Sequence, residues 1–197
     1  MTPAAIGLRV KSGWATAVLL AGPIQAPRVL DRRIVELSDP NVPASRQPFH
    51  STLASHQAAG EKEVKRLRKI VERCAHHSVT KLIGDYRNRG HNLCGAALIV
   101  GSDIDPATIK NAHIRAHSLE GRLFRNVLEA ALQSNGLSRL VIVERRAYAE
   151  ATAVLQRPED ELKRLVTDWG RALDGPWRLD EKMATLAAWL ALASRKR

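Results

Sequence analysis

The sequence predicts an α/β fold in which a three-strand antiparallel meander opens a mixed sheet and is followed by alternating helices and strands. Three features carry that expectation. Before Ser38 the chain holds three runs of strand length separated by short breaks containing glycine or proline. Leu93 to Val100 is a nearly continuous apolar run, the pattern of a strand covered on both faces and so of the sheet's centre. Beyond the meander, stretches with apolar residues at steps of three and four, starting with Val64, Leu67, Ile70, Val71 and Cys74, mark amphipathic helices.

In order along the chain, Ala4 to Val10 and Trp14 to Ala21 are mostly apolar and joined by Lys11-Ser12-Gly13, a break suited to a hairpin. Arg28 to Leu37 is the third strand. Asp39 to His56 carries Pro40, Pro43 and Pro48 and reads as a loop, which is taken to extend over residues 39–60. The helix then spans Glu61 to Cys74, with Lys62, Lys65, Arg66, Lys69 and Arg73 on its polar side. Lys81 to Ile83 reads as a short strand and Asp85 to Asn92 as a polar, basic turn. After the central run, Asp105-Pro106 has the form of a helix N-cap followed by proline at the first helical position, so the next helix is expected to reach from there to Gly136. Ser118 offers an alternative cap that would split it. Arg139 to Glu144 is a further strand, and Tyr148 to Leu155, Glu159 to Leu173 and Asp180 to Ser194 are the remaining helices, ahead of a basic tail at residues 195–197.

With 197 residues and 45% hydrophobic content the chain is expected to form a single domain, residues 1–197. Lysine and arginine total 31 against 20 acidic residues, a net charge of +11, which favours a polyanionic partner, DNA or RNA before all. Aromatic residues are only 4% of the chain, so extensive base-stacking platforms are not expected. Cys74 and Cys94 lack CxxC spacing and read as buried thiols of a reducing compartment. No membrane span and no secretory leader is expected, and a cytoplasmic location follows.

The chemistry of the chain concentrates in the stretch from His113 to Gly136. On a helix His113, His117, Glu120 and Phe124 share one side, so two imidazoles and a carboxylate meet the body of the protein. Imidazoles at i and i+4 converge on one ion and a carboxylate one turn on can reach it, which makes His113, His117 and Glu120 candidate ligands of a divalent metal and candidate acid/base groups. The zincin glutamate after the first histidine is absent. Arg87, Arg89, Arg122, Arg125, Arg145 and Arg146, with Lys65, Arg66 and Lys69, are the candidate phosphate contacts.

Ile6 to Ala15 and the acidic, alanine-rich stretch Asp180 to Trp189, together with the order of elements, resemble the ribonuclease H-like superfamily, nearest the Holliday-junction resolvase class. The resemblance implies a carboxylate in the first strand, another after the central strand and one or two on the last helix, holding two divalent cations for phosphodiester hydrolysis. Arg9 stands where the first is expected, and a guanidinium does not ligate Mg²⁺. Asp103 or Asp105 and Asp180 or Glu181 are available for the others, with Asp180 the candidate catalytic acid. Three functions stay open: a nucleic-acid-binding ribonuclease H-like protein with a degenerate or rebuilt nuclease site, a metal-assisted hydrolase or phosphotransfer enzyme using the His/His/Glu cluster, and a translation-related protein-interaction module.

Overall fold

The computed structural model describes residues 2–54 and 57–194, which leaves His56 and the basic tail outside the described residues. Five strands form one mixed sheet: β1 (Pro3–Lys11), β2 (Trp14–Ala21), β3 (Arg28–Glu36), β4 (Asn92–Val100) and β5 (Arg139–Val143). Their order is β3-β2-β1-β4-β5. The first three are an antiparallel meander, and β4 and β5 run parallel to β1. This is the expected ribonuclease H-like arrangement, with β4 beside β1 at its centre. Gly13, at φ +87°, closes the β1–β2 hairpin in a conformation that L side chains rarely adopt.

The period of two sorts β1 onto two faces. Ala4, Ile6, Leu8 and Val10 join Leu98, Val100 and the stripes of α1 (Gln57–Asn88) and α2 (Ala112–Ser134) in one core. Ala5, with Ala97 and Ile99, faces the other core, built by α3 (Ala147–Leu155), α4 (Glu159–Asp168) and α5 (Leu179–Ala193). Trp189 is fully buried there, its indole N–H donating to the Ile24 carbonyl at 2.8 Å. Gly7 has no side chain because α5 lies directly on it: a Cβ would stand 1.8 Å from the Ala184 carbonyl oxygen. Ala184, Ala187 and Ala188 give the helix the flat surface that this approach requires.

Three expectations are corrected. The first helix does not stop at Cys74 but continues to Asn88, so Lys81 to Ile83 is helix rather than strand and Asp85 to Asn88 is its final turn. Ala75, Val79, Leu82, Ile83 and Tyr86 carry the buried stripe onward. Arg33 of β3 fastens that end, pairing with Asp85 at 2.9 Å and lying over the Tyr86 ring at 5.1 Å. At its other end the same helix starts at Gln57, inside the expected loop, which also contains a 3-10 turn at Pro43–Arg46. The central helix begins later than expected, at Ala112, capped by Asn111, whose side chain accepts from the Ile114 N–H; Asp105 caps only the 3-10 turn Pro106–Thr108. Ser118 is interior to α2 and donates to the Ile104 carbonyl at 3.2 Å.

Cys74 and Cys94 are partly rather than fully buried. Burial pushes the Cys74 thiol up, assisted by Asp39 and opposed by Arg73. The thiolate is therefore scarce at neutral pH, and iodoacetamide should label native Cys74 much more slowly than the unfolded chain, as peptide mapping by mass spectrometry would show. Equal rates would mean that the α1 stripe does not shield it. Among the described residues no helix is long and apolar enough to cross a membrane.

Candidate functional site

Parallel strands present their C-terminal ends at one edge of a sheet, where loops and helix starts converge. Here β1 brings Arg9 and Lys11 to that edge, the turn after β5 brings Glu144, and the first turn of α5 brings Asp180. Arg9 is only 5% exposed. Its Nη2 lies 2.5 Å from Glu144 Oε2, and its Nη1 donates to the carbonyls of Val10 at 3.1 Å and Ile99 at 3.3 Å. Nε is 3.8 Å from Asp180 Oδ1, beyond hydrogen-bond reach, and the same carboxylate oxygen is 3.0 Å from Lys11 Nζ. Two cations thus interlock with two carboxylates, and the cluster is neutral as a whole. Beside it a cavity of 440 Å³ opens between Arg9, Lys11, Ser102, Ile114, His117 and Ser118.

The acids after the central strand are engaged elsewhere. Asp103 lies 3.8 Å from Arg145 and 3.4 Å from Arg146, and Asp105, besides its cap, is 3.6 Å from Arg122. Glu181 caps its own helix, accepting from the Arg178 N–H at 2.8 Å, with Arg32 3.4 Å from its other oxygen.

The histidine stretch takes a form that helical spacing alone did not disclose. His113 and His117 occupy successive turns of α2 and are exposed, whereas Glu120, on the same side one turn on, is fully buried. The carboxylate turns inward to a residue of the loop before α1: Glu120 Oε1 accepts from the His50 backbone N–H at 3.2 Å, and Oε2 lies 2.9 Å from His50 Nδ1, close but out of line for a hydrogen bond. His50 thereby enters between the two helical histidines, its ring centroid 4.6 Å from that of His113 and 4.1 Å from that of His117. The residue that meets the histidine pair is His50, and Glu120 stands behind it.

The nine basic residues divide by position. Arg122, Arg125, Arg145 and Arg146 surround the Asp103–Asp105 loop at the C-terminal edge, adjacent to the cavity. Lys65, Arg66 and Lys69 are exposed on the first half of α1; Arg66 is held by Glu63 at 2.7 Å, while Lys65 and Lys69 have no ion pair among the described residues. Arg87 and Arg89 sit at the opposite end of that helix, where Arg87 donates to the Asn135 carbonyl at 2.8 Å and Arg89 is 3.7 Å from Asp31. At 1.5 Å per residue Lys65 and Arg87 are about 33 Å apart along the axis, so these two groups do not share one short contact.

No protein-family model matches the chain, and no curated protein matches it. Among solved structures it is similar to Thermus thermophilus RuvC, with 14% identity and a TM-score of 0.53 over 98% of this chain and 95% of that one. It is likewise similar to T. thermophilus RuvC in complex with Holliday junction substrate, with 12% identity and a TM-score of 0.54 over 98% and 94%. At such identities the likeness establishes the fold.

Proposed function

We propose that the chain binds branched DNA at the C-terminal edge of its sheet and does not cut it by the two-cation chemistry of nuclease members of the ribonuclease H-like fold. The observation that carries this reading is Arg9, buried between Glu144 and Asp180 with Lys11 beside it. The donor set does not fit two divalent cations. A guanidinium and an ammonium offer hydrogens, not lone pairs, and both remaining carboxylates are already neutralised. A unit charge 4 Å away is worth about 4 kcal/mol at an effective dielectric of 20, and a divalent ion doubles the repulsion from each of the two cations. Binding itself is supported by the +11 net charge and by the arginines around the Asp103–Asp105 loop, next to the cavity. The similar RuvC structure with a Holliday junction makes a four-way junction the first ligand to try.

Gel-shift titration of a four-way junction and of a linear duplex across a salt series is the test. Salt-dependent binding that favours the junction is expected, with no cleavage in Mg²⁺ or Mn²⁺. Metal-dependent cleavage, or no binding at low salt, overturns the reading. The double variant Lys65→Glu, Lys69→Glu should lower the slope of log affinity against log salt by about 2. An unchanged slope would exclude the α1 face from the interface.

A further inference from the structure

We propose that His50, His113 and His117 bind one divalent transition ion of the zinc class, with Glu120 as the carboxylate that positions His50. The nitrogens these three residues offer all lie within 4.8 Å of one another. Tetrahedral zinc at about 2.0–2.1 Å from each imidazole places neighbouring nitrogens about 3.3 Å apart. Closing from the one spacing to the other falls to the rings of His113 and His117, which are exposed.

Two linked observations point to a ligand. Among the described residues both ring nitrogens of His50 are buried without a hydrogen-bond partner, although an imidazole in such a place normally satisfies at least one. Glu120 is 0% exposed, and among the described residues its Oε2 has no hydrogen bond, only His50 Nδ1 out of line at 2.9 Å. A cation on His50 Nε2 answers both at once. It occupies the orphaned nitrogen and draws Nδ1–H toward Oε2, the carboxylate–histidine–metal arrangement that fixes ring tautomer and orientation.

Three imidazoles favour zinc, copper or nickel over Mg²⁺ and Mn²⁺, which prefer oxygen ligands. Three protein ligands also leave the fourth position open, and His117 lines the cavity shared with Arg9 and Lys11. That position would take water or a phosphate oxygen. The ion's binding is independent of the DNA reading, since the ligands are drawn from the loop and α2 alone.

Chelator-treated full-length protein titrated with ZnCl₂ by calorimetry, without nucleic acid, tests the site, with CoCl₂ as the spectroscopic probe. Expected are one zinc per chain, a rise in Tm on adding zinc, visible cobalt bands of tetrahedral intensity and no comparable binding of MgCl₂. His113→Ala with His117→Ala removes two exposed ligands and should weaken zinc binding at least 100-fold while leaving the Tm of the metal-free protein unchanged. Glu120→Gln should weaken it about 10- to 100-fold. Absence of saturable zinc binding, or affinity unchanged in the double histidine variant, overturns the proposal. Failure of junction binding with zinc binding intact removes only the DNA reading.

Discussion

Replacing Gly7 with alanine should destabilise the fold severely. The added methyl would stand 1.8 Å from the Ala184 carbonyl oxygen, 2.4 Å from the Ala188 nitrogen and 2.9 Å from the Ala184 carbonyl carbon. All three are backbone atoms of α5, so no rotamer change relieves the clash. Either the helix lifts from the sheet by more than an ångström or β1 bends away from both of its neighbours. Lifting would undo the contacts of Leu186, Trp189 and Leu190, which fill the core on that face. Overpacking commonly costs about 1–3 kcal/mol, and with rigid backbone on both sides the cost here should lie above that range. Total stabilities run about 5–15 kcal/mol, so a drop of many degrees in the thermal midpoint is expected by circular dichroism. A variant melting within a few degrees of the parent would show that α5 is not seated as described. The same approach sets where Asp180 stands relative to Arg9, so the integrity of the neutral cluster is inherited from Gly7.

Arg9→Ala is the second large effect. It removes the fork that holds Glu144, two hydrogen bonds to main-chain carbonyls and a buried stem between the sheet and α5. Deleting one partner of a fully buried ion pair costs about 3–5 kcal/mol. The Glu144 and Asp180 side chains are 32% and 24% exposed, so solvent relieves part of the penalty and about 2–3 kcal/mol is expected in urea unfolding. Arg9→Lys should recover less than half, because an ammonium keeps the charge and loses the fork. Arg9→Asp gathers three carboxylates beside Lys11 and should make stability depend on added Mn²⁺, which the parent's stability should not. If Mn²⁺ stabilises the parent as much as Arg9→Asp, the guanidinium does not occupy the place of a cation.

The sheet was legible because its signals are local. The burial of β4 on both faces shows in Leu93 to Val100, and the hairpin shows in Lys11-Ser12-Gly13. The second half of α1 was also written in the sequence, as the steps of three and four from Ala75 to Tyr86. It was masked by His76-His77-Ser78 and by the charged dress of Asp85 and Arg87, which reads as a turn until Arg33 is seen to clasp it. Asp105 and Asn111 are both good caps, and only the packing of α2 against the sheet decides which one starts the long helix. The placement of His50 had no local signature at all. It lies in a proline-rich loop far from His113 in sequence, and what draws it in is a buried carboxylate whose partner spacing along α2 does not reveal. Glu144 escaped notice for the same reason, since its meaning comes from Arg9 across two strands.

The sheet also has an unguarded side to manage. At its β3 border Leu30 and Ile34 are 42% and 51% exposed, a pair that would invite another chain to add a strand and begin an aggregate. Arg28, Asp31, Arg32, Arg33 and Glu36 are interleaved with them. A strand laid alongside would have to take these charged side chains out of water and disturb the pairs that Arg32 makes with Glu181 and Arg33 with Asp85, which discourages pairing at this border.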